Sequence, residues 1–418
     1  MQRCKQTVLQ IALVLGLFFV INVVILFNLL PTSTVSNLQS PPIISGQSFI
    51  KKSPNVRVRD TYSSADQSLP RCYDFGCPLR PPELDNELRH VLSQAFENNV
   101  KNDTFPFGTS KMAMLSQIGK SHRENQDRAI FIRPFGNSPR DYGESFLIGI
   151  FDGHGVHGHI IADYVATELP VRLWEKLEPL LNKNRFNYDA IDEGADIDAK
   201  ISQALNETFV DVDINAPPNA LKGGCTASVT LGLGSKLYIA NAGDSQTIIV
   251  TVDDNNKNGN IVTSIPFMTR KDKALIPEEK ARIEGLGGKI HISPHNDSRV
   301  VVYSVTAREQ ISLAMSRSIG DWEWKVIGVI AQPLVNVIDL STLKNAFIIA
   351  ASDGLWDVRR REFYAKQFAE PLYHGQSGPR GTIHPLHRLW EVIEKVTPKV
   401  GYQDDITAIL MKLDSTSA

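Results

Sequence analysis

The sequence predicts an α+β domain in which largely antiparallel sheets are layered with helices. Short runs rich in Val, Ile, Thr and aromatic residues dominate the chain from residue 146 onward, and such runs are typical of strands. The runs between residues 226 and 252 are joined by turns too short for crossover helices, so we expect these strands to pair antiparallel. Strand-rich and helix-rich stretches come in separate blocks, which favours an α+β fold over an alternating α/β fold.

The individual elements follow from local patterns. Seven apolar runs predict strands, at residues 146–152, 226–234, 236–244, 246–252, 299–305, 346–353 and 405–413. Apolar residues at helical spacing predict helices over 157–182 and 197–212, and Pro170 should kink or restart the first of these. Pro277 followed by two glutamates predicts the start of a helix over 277–286, and a further helix is predicted over 386–396.

The N-terminal residues 1–30 predict a membrane anchor. Residues 8–30 carry no charged side chain, and a helix of that length, rising about 1.5 Å per residue, crosses a hydrocarbon core of roughly 30 Å. The apolar part of a cleavable signal peptide covers only about 7–15 residues, so the span favours a retained single-pass anchor. Residues 31–80 are rich in Ser, Thr and Pro and predict a linker, which leaves 81–418 as the folded domain.

The charges around this span predict its orientation. Arg3 and Lys5 precede it, and the next charged residue is Lys51. The positive-inside bias therefore places the N-terminus in the cytosol and the folded domain in a lumenal or extracellular compartment, although a cytosolic domain stays open. Cys72 and Cys77 would close a disulfide only in an oxidising compartment. Three Asn-x-Ser/Thr sites are candidates for glycosylation there but do not decide the orientation: Asn102, Asn206 and Asn296.

Composition excludes several other classes of protein. The formal net charge is −2 and no dense block of Lys and Arg is present, which argues against a general nucleic-acid-binding protein. The four cysteines are too few and too scattered for a disulfide scaffold, and their spacing does not match a zinc site. We therefore expect an ordinary globular domain without a nucleic-acid partner.

Aspartates stand at the ends of several predicted strands: Asp127, Asp152, Asp244, Asp353, Asp404 and Asp405. A single aspartate at a strand end usually caps a turn, but several beside apolar strands predict a cluster at one rim of the sheets. Clustered carboxylates repel one another, and burial raises the cost of their charges further. Mg²⁺ or Mn²⁺, bound through carboxylates, a backbone carbonyl and waters, would relieve that repulsion.

Eight segments carry a resemblance to a known family. In chain order they read GKSHRENQDR, FDGHG, GGCTASV, ANAGDS, LAMSRSIGDW, GVIAQP, ASDGLWDV and DDITAIL. Their content and order resemble the type 2C family of metal-dependent protein serine/threonine phosphatases, over residues 116–413. The resemblance implies two stacked antiparallel β-sheets flanked by α-helices, with metal ions at one edge of this α-β-β-α sandwich. Residues 270–330 resemble the family's flap beside the active site, and loops of this kind often set substrate choice.

The resemblance also implies roles for individual residues. Asp152 would bridge two Mg²⁺ or Mn²⁺ ions, and the Gly153 carbonyl would bind one of them. Asp353 and Asp404 would bind the other ion, and Asp127 would hold a metal-bound water.

Two further roles concern the surroundings of the two ions. Asp244 would help to form a weaker third metal site. His154, directly after Gly153, would act as the general acid that protonates the leaving oxygen. His157 and His159 are interpreted as residues of the surface or of a helix start.

The phosphate-binding position departs from the family pattern. The family commonly has an Arg five residues before its first Asp, where this chain has His122, and Arg123 follows one residue later. Because a shift of one residue in a strand reverses the face of a side chain, either the loop adjusts so that Arg123 reaches the phosphate or His122 does part of the work. The forked guanidinium suits phosphate better than imidazole does, which favours Arg123. Gln126, Val156 and Asp405 also differ from residues common in the family.

None of these departures removes an expected metal ligand, so we expect an active enzyme. The leading hypothesis is a membrane-tethered, Mg²⁺- or Mn²⁺-dependent phosphatase that acts on phosphoserine and phosphothreonine in proteins, with a monomeric catalytic domain. The alternative is a membrane-anchored pseudophosphatase, which keeps the fold as a binding module without the chemistry. A metal-free hydrolase built on the histidines is a third hypothesis, and it predicts activity in the presence of a chelator.

Overall fold

The computed structural model describes residues 104–108, 112–133, 135, 145–183, 194–253, 261–294, 297–304, 308–373, 385–397, 401 and 403–413. The predicted anchor at 8–30 and the predicted linker at 31–80 lie outside these residues, as do Cys72, Cys77, Asn102 and Asn296. Among the helices that are described, none is both long enough and apolar enough to span a membrane.

Two antiparallel sheets form the centre of the domain. The first sheet has six strands in the spatial order β1 (Thr104–Gly108), β2 (Met112–Gln117), β16 (Ile406–Lys412), β15 (Ala346–Ala351), β8 (Gln246–Asp253) and β9 (Val262–Met268). The second has seven strands: the path β13 (Ile319–Gly320), β5 (Gly223–Cys225), β4 (Ser145–Gly155), β6 (Ala227–Leu233), β7 (Lys236–Ala242) and β14 (Leu334–Asp339), with β3 (Asp127–Ile132) paired to β4.

Helices cover the outer face of each sheet. The second sheet packs against α1 (Gly158–Lys183) and α2 (Gly194–Ile214), and these helices share one buried apolar cluster with β4, β6 and β7. The first sheet packs against α6 (Arg361–Tyr373) and α7 (Pro385–Val396), which share a second cluster with β8, β15 and β16. A third apolar cluster fills the space between the two sheets. The predicted α-β-β-α sandwich is therefore confirmed.

Side-chain alternation in β4 shows how one short run serves two of these cores. Leu147 and Phe151 belong to the cluster beneath α1 and α2, whereas Ile148 and Ile150 belong to the cluster between the sheets. Successive side chains of a strand point to opposite faces, so a strand with both faces covered needs apolar residues at every position. This requirement explains why the predicted strands read as continuous apolar runs.

A smaller unit stands beside the sandwich and is called the flap here. It consists of α3 (Pro277–Gly285), the three-stranded antiparallel sheet β10 (Lys289–Ile292), β11 (Ser298–Ser304) and β12 (Glu309–Leu313), and the short helix α4 (Trp322–Lys325). It has its own apolar cluster, which includes Ile283, Val300 and Trp324. The flap therefore has a small core separate from the three layers of the sandwich.

Every predicted strand and helix has a counterpart with bounds that differ by a few residues. α1 continues through Pro170, and also through Pro179, as one helix of 26 residues, so the helix does not restart at Pro170. Several elements of the structure were not predicted from the sequence, among them β9, β10, β12, β14 and α6. The glycosylation candidate Asn206 lies within α2, where its side-chain amide donates to the Ser202 carbonyl at 3.0 Å and Thr208 is fully buried.

Candidate metal centre and active site

Four of the predicted metal-site aspartates come from strand ends in the two sheets. Asp127 begins β3 and lies directly opposite Asp152 of β4 in the strand register. Asp353 follows β15 and begins the short helix α5 (Asp353–Trp356), and Asp404 stands two residues before β16, the neighbour of β15. The two sheets therefore bring together carboxylates that are far apart in the sequence.

The electrostatic state of Asp152 shows that these carboxylates act on one another. Burial raises the pKa of Asp152 well above its usual range, and the negative charges of Asp127, Asp353, Asp244 and Asp404 raise it further. A carboxylate responds in this way when removal of water and nearby like charges both penalise its ionised form. The site therefore favours a bound positive charge.

Asp353 is perturbed for the same reason. Burial comes first, followed by the charges of Asp244, Asp357 and Asp404, and together they raise the pKa of Asp353 to about 7. A carboxylate of this kind is stabilised either by a proton, which makes it neutral, or by a nearby cation, which offsets the charge of its ionised form. Asp353 is thus a carboxylate whose charge a divalent cation would stabilise.

Asp127 contributes an oxygen that lacks a protein partner. The side chain is 2% exposed, and burial, followed by the charge of Asp405, raises its pKa well above the usual range. Its Oδ2 atom is buried and has no hydrogen-bond partner among the residues that the structure describes. Buried polar atoms are normally satisfied by protein, water or an ion. This orphaned oxygen fits the predicted role of holding a water of the metal site.

Gly153 fills a position where no side chain fits. A Cβ atom there would lie 2.5 Å from the carbonyl oxygen of Gln126 and 2.6 Å from that of Gly158. The Gly153 amide also donates a hydrogen bond to the Gln126 carbonyl at 3.2 Å. Glycine thus allows the backbone beside Asp152 to pack closely, as expected where a main-chain carbonyl is to reach an ion.

Asp244, predicted to help hold a third metal ion, is paired with Lys273, which lies shortly before α3 of the flap. The Lys273 ammonium donates to Asp244 Oδ2 at 2.6 Å and to the Ala314 carbonyl at 3.2 Å. Burial raises the cost of the Asp244 charge, but Lys273 outweighs it and lowers the pKa of Asp244. Lys273 therefore supplies a positive charge at the place where the resemblance predicts a weak third ion.

His154 lies at the end of β4, two residues after Asp152. Its Nε2 atom is 2.7 Å from Oδ2 of the buried Asp321. Burial by itself would lower the pKa of His154, but the charge and hydrogen bond of Asp321 outweigh it and raise the pKa. Asp321 therefore favours the protonated form of His154, the predicted proton donor.

The two candidates for phosphate binding occupy different environments. His122 is half-buried, with Nε2 3.7 Å from Asp404 Oδ1 and Nδ1 3.0 Å from Asp405 Oδ2. Arg123 is exposed. In the described part of the chain, His122, Asp404 and Asp405 form the one group of three or more His, Cys, Asp or Glu residues whose ligand atoms all lie within 4.8 Å of one another. The structure thus brings His122, and not Arg123, against a predicted metal ligand.

Sequence reasoning missed the role of Asp405. This buried carboxylate accepts the Gly119 amide at 2.7 Å and the Gln126 amide at 2.8 Å. It thereby fixes the loop that leads from β2 to Asp127. The only sequence signal was the pair Asp404 and Asp405 in the motif DDITAIL. The pair alone does not show which aspartate binds metal and which one holds the loop. His157 lies just before α1, and His159, in its first turn, faces Glu124 with Nδ1 3.5 Å from Glu124 Oε2.

The donors gathered at this edge fit a hard divalent cation. They are carboxylate oxygens and a possible backbone carbonyl, the ligands that Mg²⁺ and Mn²⁺ prefer. The raised pKa values of Asp152 and Asp353 show that the carboxylates lack a compensating charge of their own. The residues present therefore suit the metal ions that the resemblance implies.

Comparison with known proteins identifies the family of this chain. The protein-family model described as protein phosphatase 2C matches residues 112–366. A probable protein phosphatase 2C 41 of Arabidopsis thaliana is 34% identical over 289 residues, covering 65% of this chain and 76% of the relative. A probable protein phosphatase 2C 73 of the same plant is 28% identical over 321 residues, covering 74% of this chain and 81% of the relative.

The solved structures agree on the fold. The crystal structure of a serine-threonine phosphatase 2C from Toxoplasma gondii superposes with a TM-score of 0.61 at 19% sequence identity, covering 74% of this chain and 99% of that chain. At that identity the likeness supports the two-sheet sandwich.

The layered sandwich and its carboxylate-lined edge define the class of protein, a metal-dependent phosphatase. The chain belongs to the protein phosphatase 2C family, because the family model covers more than half of its length. Enzymes of this family are Mg²⁺- or Mn²⁺-dependent protein serine/threonine phosphatases, and their substrates are phosphoproteins.

Proposed function

We propose that this chain hydrolyses phosphoserine and phosphothreonine in proteins at a centre of two Mg²⁺ or Mn²⁺ ions, held by Asp152, the Gly153 carbonyl, Asp353 and Asp404. The observation that carries the proposal is the crowding of carboxylates whose pKa values are raised by burial and by one another. Such a cluster is costly to fold unless it serves to bind cations. A third ion at Asp244 would have to displace or share the contact with Lys273.

The metal ions would supply a water of lowered pKa and would offset charge on the phosphoryl oxygens. The chain's own residues orient the reactants. Asp127 would accept a hydrogen bond from the attacking water. As the water oxygen bonds to phosphorus, the ester bond breaks and its electron pair leaves with the seryl or threonyl oxygen. That oxygen takes the proton held by His154, so the products are inorganic phosphate and the free hydroxyl group.

We further propose that His122 contacts the substrate phosphate, with Arg123 as the alternative. The support is the position of His122 beside Asp404, whereas Arg123 is exposed. A protonated imidazole would offer the phosphate one donor, where a guanidinium would offer a fork.

Phosphate release from synthetic peptides tests the proposed activity against the pseudophosphatase alternative. We expect the purified chain with Mn²⁺ to release phosphate from phosphothreonine and phosphoserine peptides and to stop when a chelator is added. A pseudophosphatase would bind such peptides without release. Turnover that continues in chelator would instead favour the metal-free histidine mechanism.

We also propose that residues 8–30 tether a monomeric catalytic domain to a membrane, with 31–80 as the linker. The support is the uncharged span and the charge bias of its flanks, which places the domain in a lumenal or extracellular compartment. Protease protection on intact membranes tests this orientation. We expect the domain to be protected until detergent is added. Digestion without detergent would place the domain in the cytosol, and recovery of the full chain in the soluble fraction would refute the tether.

A further inference from the structure

We propose that Asp321 is a positioning residue for the reaction, because it holds the His154 ring by Nε2 and leaves Nδ1 as the nitrogen that passes a proton to the substrate. The inference rests on the proposed phosphatase function and adds a residue to it. Asp321 lies 167 positions from His154 in the sequence, within the segment LAMSRSIGDW, and reaches it only through the fold.

The contact between the two side chains has the form of a built pair. Asp321 Oδ2 lies 2.7 Å from His154 Nε2 and also accepts the Ser318 hydroxyl at 2.6 Å. Asp321 is 1% exposed, so water does not compete for its oxygens. A carboxylate that accepts a hydrogen bond from one ring nitrogen selects the tautomer that carries its proton there and fixes the ring's orientation.

The other ring nitrogen is not engaged by the described residues. His154 Nδ1 is buried and has no hydrogen-bond partner among the described residues. The ring follows Asp152 by two positions, so this nitrogen belongs to the same strand end as the carboxylate cluster. An imidazole clamped at Nε2 can exchange a proton with a substrate only through Nδ1.

The backbone around Asp321 is shaped to make the contact. Asp321 adopts a φ of 54°, in the left-handed region that is uncommon for residues other than glycine, directly after Gly320 at 83°. Gly224 lies against the Asp321 carboxyl group, and a Cβ atom at Gly224 would lie only 2.5 Å from Asp321 Cγ. The Asp321 amide donates to the Gly223 carbonyl at 3.1 Å. Backbone strain that the surroundings maintain is a feature of functional sites.

A purely structural role for Asp321 would be to neutralise a buried cation, and the nearby cation is already engaged. Lys325 lies 3.1 Å from Asp213 Oδ1 and donates to the Ser318 carbonyl at 2.6 Å. Asp213 also accepts the Gly320 amide at 2.7 Å. Asp213 therefore contacts Lys325 and the local backbone directly, whereas the carboxyl group of Asp321 forms its hydrogen bonds with His154 and Ser318 and acts on Lys325 only through its charge.

The test uses two substrates that differ in their need for a proton donor. The leaving group of a phosphothreonine peptide is an alkoxide, so its departure depends on protonation. The leaving group of p-nitrophenyl phosphate is a stable phenolate, whose departure does not. With Mn²⁺ present, we expect Asp321→Asn to lower kcat on the peptide about a hundredfold and kcat on p-nitrophenyl phosphate only about threefold. Equal losses on both substrates would overturn the proposal, because a structural lesion does not distinguish leaving groups.

Two further variants complete the kinetic test. In a His154→Gln background, Asp321→Asn should cause no additional loss on the peptide, since the two residues act as one unit. Additive losses would overturn the pairing. Asp213→Asn is the matched control, a half-buried carboxylate near Asp321, and we expect it to change kcat on both substrates by the same factor. If the wild-type chain released phosphate from neither substrate, the phosphatase function itself would fail.

A measurement on the wild-type chain tests the positioning without any variant. Nitrogen-15 chemical shifts of the His154 ring, recorded at a pH above its titration, distinguish a proton on Nε2 from one on Nδ1. We expect the Nε2–H form. The Nδ1–H form, or an equal mixture of both, would overturn the inference even if Asp321→Asn failed to fold or the enzyme were inactive.

Discussion

At the scale of single residues, the site is defined by carboxylates held against their own repulsion. Asp353 has a pKa of about 7, far above the value of about 3.9 for an aspartate in an unfolded chain. Because the folded pKa is the higher one, this group favours the metal-free fold below about pH 4, and that contribution is lost as the pH rises through about 7. Metal binding reverses this preference, because the bound cation favours the ionised form of Asp353.

Protons should therefore compete with the metal ions. Below about pH 7 the Mn²⁺ ion held by Asp353 has to displace the Asp353 proton, so we expect the apparent affinity for that ion to fall about tenfold for each unit of pH below that value. Calorimetric titration of the full chain with Mn²⁺ near pH 6 and near pH 8 measures this. Equal affinities at the two values would contradict the assignment of Asp353 as a ligand.

His122 and Arg123 make a matched pair for testing phosphate recognition. We expect His122→Ala to raise KM for a phosphothreonine peptide about tenfold, because a charged hydrogen bond contributes about 1.5–3 kcal/mol. Arg123→Ala changes an exposed neighbour and should leave KM within about twofold. Steady-state kinetics of the two variants decides the matter. A larger loss from Arg123→Ala would return the phosphate contact to the arginine.

At the scale of elements, the sequence predicted the strands and helices that have a strong apolar pattern. It did not predict the elements whose pattern is weak. β15 is apolar at every position, and β4 carries an apolar run at residues 146–151 interrupted only by Gly149, because both faces of these strands are covered. β9 alternates between exposed and half-buried positions and contains Pro266, which placed it outside the strand pattern although it pairs at the edge of the first sheet. α6 contains Pro371 near its end and carries only a weak amphipathic pattern.

The flap is attached to the sandwich through a buried group of charges. Glu279 of α3 is fully buried and accepts hydrogen bonds from Arg317, Arg282 and Ser316. Burial alone would raise its pKa, but these donors outweigh burial and lower the pKa to about 2. Because the pKa of Glu279 is lower in the folded chain, its charge contributes stability above the unfolded pKa of about 4.3. That stability is lost as the pH falls toward 2.

Removing this charge should loosen the flap. We expect Glu279→Gln to lower the free energy of unfolding by about 3–5 kcal/mol at neutral pH, because the buried Arg317 loses its counter-ion. Glu278→Gln is the matched control, since the adjacent side chain is 61% exposed and should change the free energy by less than about 1 kcal/mol. Urea unfolding measures both. Similar effects of the two substitutions would show that the buried network does not hold the flap.

At the scale of the whole molecule, the site exists only because two sheets close over a shared core. Asp127 and Asp152 come from one sheet, and Asp353 and Asp404 come from segments next to paired strands of the other. Ordered motifs were enough to predict the fold, and the assignment of these four residues as a metal site stays a prediction. The contacts of Lys273 with Asp244 and of Asp321 with His154 were not predictable, because they join the sandwich to the flap region through space and leave no pattern in the sequence.

The most direct test of the account is phosphate release from a phosphothreonine peptide across a range of Mn²⁺ concentrations, by wild type and by Asp152→Asn. We expect wild-type turnover to rise with Mn²⁺ and to vanish with chelator, and the variant to fall below about one hundredth of wild type at every concentration. Asp211→Asn, a surface change on α2, should keep wild-type turnover. Full activity of Asp152→Asn, or wild-type turnover that ignores the metal, would contradict the proposed metal centre.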